Sequence, residues 1–469
     1  MKVYNTMTRR KEAFRPRSDG KVGIYVCGPT VYDYPHIGHA RTYVAFDAMV
    51  RYLRFRGFKV KYIVNITNID DKIIKRAREE GRDPAELADE FERIFLEDVR
   101  SLGLEPADAY PRVSDNIQGI VEMVRGLIRR GFAYEADGNV YFDVAKIEDF
   151  GKLSHQSLEE MRTGVRVGID ERKRNPMDFV LWKRSKNDEP GWDSPWGRGR
   201  PGWHIECSVM SMRHLGEQFD IHGGGRDLIF PHHENEIAQS EAYTGRKPFV
   251  RYWLHTGFLT VEGMKMAKSL GNFVTVRDLL GRWDPETFRL LVLQAHYRRP
   301  VEYSEKALRQ SKRGLDGLYD TLADLKTQAE TGMASHELKE ERKLEKQMLN
   351  LKQAFLRAMD DDFNTARALA GLFGLARAGN RALDLGASGE LLERIRNVIL
   401  ELGMILGLFQ RGEAKEELPE EARRLIEERD LARKNKDWKR ADAIREKLKD
   451  MGIILRDYPE GTRWRMERR

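Results

Sequence analysis

Between Lys21 and Val26 apolar side chains alternate at Val22, Ile24 and Val26, the two-residue period of a strand with one face turned inward. After a turn marked by Gly28 and Pro29 the period lengthens. From His36 to Phe55 apolar residues recur every three or four positions, and Gly57 stops the run, which predicts a helix. Lys59 to Asn65 repeats the strand pattern and Asp70 to Glu80 the helical one. Strand and helix alternating with short links predict an α/β fold with a doubly wound, Rossmann-like parallel sheet. Such sheets bind ligands beyond the carboxyl ends of their strands, where Cys27 and its turn lie.

The texture changes near Ser114. An amphipathic helix to Arg130, a hairpin turned at Asp137 and Gly138, and a Gly-, Pro- and charge-rich stretch from Arg162 to Arg200 predict an insertion that splits the sheet in sequence. Alternation returns at Trp203 to Gly216, Gln218 to His222 and His232 to Thr244. From Glu302 to Gln410 only helical patterns occur, which predicts a bundle. Two more helices and a hairpin close the chain. The predicted division is 1–113 and 201–258 for the two halves of the nucleotide-binding sheet, 114–200 for the insertion and 259–303 for a loop-bearing connection. The bundle takes 304–411 and a small α+β domain 412–469.

At 469 residues the chain is long enough for roughly two to four cores. Hydrophobic residues make up 41% and mean hydropathy is −0.62, with no apolar run long enough to cross a bilayer. The start lacks the apolar stretch of a secretory signal, so a cytoplasmic, monomeric chain that does not engage membranes is expected. Net charge is +7, and from Glu421 to Arg469 sixteen Lys and Arg stand against eleven Asp and Glu. That excess points to a polyanionic partner at the carboxyl end. Two cysteines cannot make a disulfide framework, which leaves buried thiols, a chance pair or metal ligands.

His36-Ile37-Gly38-His39 follows the first strand and opens the first long helix. The helix start offers four amide donors and a positive dipole end to a phosphate, Gly38 allows close approach of a flat base, and two histidines three apart share a face from which to donate to an oxygen gaining charge. Chance produces an H-x-G-H about 0.02 times in such a chain, so coincidence is a poor account. Lys265-Met266-Ala267-Lys268-Ser269 places two ammonium groups three apart, suited to a triphosphate whose α–β bond is breaking. His232 and Glu236 stand i and i+4 on a predicted helix and face one way, with His233 a rival three residues from Glu236.

On these residues the chain resembles the class I aminoacyl-tRNA synthetases, and among them the cysteinyl-tRNA synthetases. The carrying segments are YVCGPTVYDYPHIGHARTYVAFD (25–47), NITNIDDKI (65–73), GWHIECS (202–208), FDIHGGGRDLIFPHHENEIAQS (219–240), KMAKSLGN (265–272) and MDDDFNTARAL (359–369), so the likeness runs nearly end to end. Ala267 replaces a serine of the usual KMSKS, and Asn68 stands where the family commonly has Asp. The resemblance implies one Zn2+ per chain held by Cys27, Cys207, His232 and Glu236, and a substrate thiol that joins it as a further ligand. It implies His36, His39, Lys265 and Lys268 as catalytic residues, and an ATP site with Mg2+ that adds Gly38, Gly225 and Asp227. Thr67, Trp203 and His222 fall to the cysteine pocket, with the three glycines before Arg226 read as allowing close backbone approach. L-cysteine, ATP and tRNA-Cys are the implied partners, the last gripped by the bundle and the basic tail with aromatics such as Trp438 and Trp464. A related family joins cysteine to an amino sugar by the same adenylate chemistry but lacks the full tail, and stands as the alternative.

Overall fold

The computed structural model describes all residues except 158–159, 161–170, 267–270, 331–337, 411–417, 459–460 and 467–469. Its central sheet contains β1 (Lys21–Val26), followed by helix α1 (Ile37–Phe55) and β2 (Lys59–Val64). Much later come α2 (Trp203–Leu215), β3 (Phe219–Gly225), α3 (Glu234–Thr244) and β4 (Val250–Thr256). All four strands run parallel in the order β4–β3–β1–β2, which bears out the predicted sheet. The order reverses at β1: its successor β2 pairs on one side and β3 on the other, with Val26 opposite both Val64 and Gly223. The crevice past the carboxyl ends of β1 and β3 is therefore a topological switch point.

Helix α1 lies close against the sheet because Gly223 has no side chain. A Cβ there would overlap the Phe46 ring. Of the three consecutive glycines, Gly223 serves strand-to-helix packing and Gly224 makes room for Leu228, while Gly225 lines a cleft.

Between β2 and α2 the chain inserts helices Asp71–Glu80, Pro84–Ser101 and Ile117–Arg129 and an antiparallel sheet of Ala133–Ala136, Asn139–Phe142, Phe179–Arg184 and Gly199–Pro201. Its first hairpin turns at Asp137 (φ 51°) and Gly138 (φ 72°), the left-handed pair that a two-residue loop demands. Phe142, Phe179 and Trp182 of this sheet share one apolar cluster with Tyr25, Cys27 and Cys207. The inserted sheet therefore forms part of the wall behind the switch point.

Past β4 a three-stranded sheet (Leu259–Val261, Met264–Lys265, Val301–Tyr303) leads into helices Glu305–Glu330, Leu338–Asp360, Thr365–Asp384 and Gly389–Ile405, the expected bundle. A second compact unit comprises Leu280–Asp284 and Phe409–Arg469. Its helices Glu420–Lys434 and Trp438–Asp450 pack with the hairpin Ile453–Tyr458/Gly461–Met466 through Ala422, Ile426, Leu448 and Ile453. Arg429, 1% exposed, reaches both carboxylate oxygens of Asp457 at 2.7 and 2.8 Å. No helix among the described residues is long and apolar enough to cross a membrane.

Candidate active site and metal centre

His36 caps α1. Its backbone is extended, and its ring Nδ1 accepts from the amides of Gly38 at 3.1 Å and His39 at 3.3 Å. The Ile37 amide donates to the Val274 carbonyl at 3.1 Å, and those of His39 and Ala40 also reach the His36 carbonyl. The expectation that these amides await a phosphate is thus corrected: the cap, the His36 carbonyl and the Val274 carbonyl already satisfy them. What the motif offers instead is a ring edge. With Nδ1 accepting, the ring proton sits on Nε2, and burial lowers the pKa to about 4 despite the opposing charge of Asp227. His39 stacks on it at 3.7 Å, and burial together with His36 holds it well below the usual histidine range. Two neutral imidazoles at one helix start are uncharged hydrogen-bond donors. Gly38 is required by this packing, since a Cβ would come within 2.8 Å of His36 Nδ1.

A cleft of about 410 Å³ is lined by His36, Gly38 and His39, by Cys27 and Trp203, and by Gly225 and Asp227. Met266 also lines it, and the segment that follows returns to pair with the motif, Val276 donating to the Pro35 carbonyl at 2.8 Å. The backbone of Lys265 pairs with Thr260. Its side chain, Lys268 and Ala267 lie outside the described residues.

Four ligand atoms converge where β1, α2 and α3 meet. Cys27 Sγ lies 3.9 Å from Cys207 Sγ and 3.9 Å from Glu236 Oε1, which is 3.1 Å from His232 Nε2. Neighbouring ligands of a tetrahedral ion with bonds of about 2.0–2.3 Å stand about 3.3–3.8 Å apart, so these separations lie within a few tenths of an ångström of that spacing. His232 does not lie on the regular helix as expected: α3 begins at Glu234, and His232 and His233 occupy the distorted turn before it. A second set overlaps the first. His233 Nε2 is 3.3 Å from Cys27 Sγ, and His222 Nε2 is 2.9 Å from Glu236 Oε2, so Cys27 and Glu236 belong to both.

Charge in this buried cluster is arranged for a cation. Although burial alone acts upward, His222 and His232 hold Glu236 at about 2, and Glu236 with Cys207 raises His232 to about 10 against burial. The hydrogen bond with Cys27 lowers Cys207 to about 6, whereas burial pushes the Cys27 thiol up. A thiol already biased to thiolate beside a carboxylate suits a borderline-soft metal.

The remaining expected residues divide. Trp203 lines the cleft, is 41% exposed and stacks on His232 at 4.2 Å. Thr67 and His222 are buried behind it, Thr67 hydrogen-bonding Glu206 at 3.3 Å. Asn68 exchanges two bonds with Ser114, its amide donating at 2.9 Å and its carbonyl accepting at 3.1 Å. A carboxylate could accept from the Ser114 amide but could not donate to the Ser114 hydroxyl. Two histidines escaped the sequence reading: His204, whose Nδ1 is 3.0 Å from His232 Nδ1, and His255, whose Nε2 is 2.7 Å from His233 Nδ1. His255 is the next-to-last residue of β4, and the rule of carboxyl strand ends would have flagged it had that strand been predicted.

Residues 13–313 match the model of the class I (C) tRNA synthetase catalytic domain, 354–410 the DALR domain and 415–465 the cysteinyl-tRNA ligase anticodon binding domain. The cysteine–tRNA ligase of Thermococcus gammatolerans is 52% identical over 474 residues, covering 99% of each chain. That of a Geobacillus species is 48% identical over 468 residues, again with 99% of each chain covered. In fold, the chain is similar to Mycobacterium tuberculosis methionyl-tRNA synthetase in complex with methionyl-adenylate, with TM-score 0.66, 16% identity, and 82% of this chain and 91% of that one covered.

Proposed function

The chain belongs to the cysteine–tRNA ligase family of class I aminoacyl-tRNA synthetases, and from that premise we propose how its cleft divides the work. The family's reaction joins cysteine to ATP, releasing pyrophosphate, and passes the cysteinyl group to the 3′-terminal adenosine of tRNA. In our reading His36 and His39 donate to phosphate oxygens as the cysteine carboxylate attacks the α-phosphorus. Lys265 and Lys268 neutralise the departing pyrophosphate, whose charge is shared with Mg2+. Gly225 and Asp227 face the ribose. Catalysis is then mostly positioning and electrostatics.

Cys27, Cys207, His232 and Glu236 are the residues we assign to zinc, on the strength of two sulfurs, an imidazole and a carboxylate whose ligand atoms all lie within 4.8 Å of one another. When bound, zinc supplies a soft acceptor for which an ionised thiol is a far better ligand than serine's hydroxyl. Trp203 walls the amino-acid side of the cleft. Thr67 and His222 act from behind it, His222 by fixing the Glu236 carboxylate. The bundle and the basic carboxyl-terminal unit grip tRNA-Cys through its phosphates.

One observation carries this reading: a single cleft joins the two-histidine helix start to Cys27 and Trp203. Cysteine-dependent exchange of pyrophosphate into ATP, followed by charging of purified tRNA-Cys, tests it. Exchange without charging contradicts the tRNA half. The amino-sugar alternative is not favoured, since residues 415–465 match an anticodon binding domain. Pyrophosphate release stimulated by an amino sugar and not by tRNA would reinstate it.

A further inference from the structure

Lys72 is a cation of the cleft that neither the two-histidine helix start nor the metal cluster uses. It sits in the first turn of the helix Asp71–Glu80, where a positive side chain opposes the helix dipole and a neutral one would not. One turn further on, Arg76 docks this helix onto the turn before His36, bonding the Tyr32 carbonyl at 2.8 Å and the Asp33 carboxylate at 2.6 Å. Residues four apart share a helix face, so Lys72 is turned the same way. Its ammonium lies 5.4 Å over the Tyr32 ring, and both residues line the cleft beside Asp33 and Phe91. The nearby carboxylates are engaged elsewhere. Asp33 is held by Arg76, Asp71 pairs with Lys183 and Arg200, and Asp70 caps the helix by accepting the Lys72 amide at 2.7 Å. The exposed Lys72 side chain makes no ion pair among the described residues.

Charge is ordered along the cleft. Asp227 opposes the effect of burial on His36, whereas Lys72 adds to the effects of burial and of His36 on His39. The carboxylate placed at the ribose thus acts on the first histidine and the ammonium on the second. A nucleotide with its ribose at Asp227 passes its α-phosphate beside the two histidines and brings its outer phosphates to Lys72. We propose that Lys72 binds the β- and γ-phosphates of ATP and is a further catalytic residue for adenylate formation. The inference rests on the ligase reading. In that step a carboxylate oxygen of cysteine bonds the α-phosphorus and the bond from that phosphorus to the α–β bridging oxygen breaks. Pyrophosphate leaves with the electron pair, and no proton moves. Negative charge gathers on the leaving group, where a positioned ammonium lowers its energy most. Transfer to tRNA comes after pyrophosphate has gone, so it makes no use of Lys72.

The test uses the full chain carrying Lys72→Gln or Lys72→Arg. In Lys72→Gln, single-turnover formation of cysteinyl-adenylate at saturating ATP and cysteine should slow by about tenfold or more, and the KM for pyrophosphate in cysteine-dependent exchange should rise by about as much. Transfer from bound adenylate to tRNA and the KM for cysteine should stay within about twofold of wild type. Lys72→Arg keeps the charge and should recover most of the rate. The thermal midpoint of Lys72→Gln should equal or exceed that of wild type, because a cation has left a helix start. Adenylate formation within about twofold of wild type in Lys72→Gln overturns the assignment. Slowing confined to transfer also overturns it, giving the ammonium to a tRNA phosphate, as does a rise confined to the KM for cysteine, giving it to the substrate carboxylate. A lowered thermal midpoint with adenylate formation and transfer falling in step makes Lys72 structural and overturns it too. Wild-type chain with no cysteine-dependent exchange defeats the ligase reading itself, whereas normal wild-type exchange with an unaffected Lys72→Gln defeats this assignment alone.

Discussion

In our reading His36 holds two jobs on opposite edges of one ring, and two substitutions separate them. Nδ1 accepts from the amides of Gly38 and His39, which leaves Nε2–H to donate into the cleft. Replacement by Ala removes both functions. Losing an N-cap acceptor costs about 1 kcal/mol of stability, and losing a preorganised donor to a developing charge costs about 10²–10³ in kcat. Asn is a strong N-cap whose side-chain oxygen substitutes for Nδ1 but whose amide does not reach the Nε2 position. His36→Asn should therefore unfold within about 0.5 kcal/mol of wild type in urea, yet fall in cysteine-dependent exchange about as far as His36→Ala. Near-wild-type exchange in His36→Asn would refute the donor role, and equal instability of the two variants would refute the cap.

Three further outcomes follow from the same geometry. Because the folded pKa of His36 is lowered to about 4, the unfolded chain takes up a proton there that the folded chain does not as pH drops below about 6.5, so stability falls with pH down to about 4; urea midpoints should show a smaller acid loss in His36→Asn. Gly223→Ala, which drives a methyl into Phe46, should lower the thermal midpoint by an amount equivalent to about 1–3 kcal/mol, and Phe46→Leu should restore part of it. Asp457 is lowered to about 2, first by its hydrogen bonds from Arg429, so its contribution is full above its unfolded value and disappears as pH falls towards 2; Asp457→Asn should cost on the order of 2 kcal/mol in hydrogen-exchange protection of the Ile453–Met466 hairpin.

Much of the sheet was legible because β1, α1 and β2 carry clean periods and short links, and a parallel order with its switch point follows from that alternation. The helix start at His36 was equally plain, but the destination of its amides was not. A histidine acting as its own cap needs an extended backbone and a particular rotamer, neither of which residue spacing encodes. His232 and Glu236 were found by their interval of four, yet the interval works through an irregular turn and not through the helix that suggested it. Cys27 and Cys207 meet only because β1 and α2 converge after an insertion, a tertiary fact no local period carries. His204 stayed hidden for the same reason, and His255 because its strand was not predicted. The reciprocal bonds of Asn68 with Ser114 give a local purpose to a residue that looked like a departure.

In our reading a metal held by two cysteines, a histidine and a glutamate selects the substrate by its sulfur. Parallel exchange assays with L-cysteine and L-serine on metal-replete protein address it directly. A preference for cysteine of about 10⁴ or more is expected, collapsing in Cys207→Ala along with bound zinc; serine activated within about tenfold of cysteine, or full discrimination by metal-free protein, would contradict it.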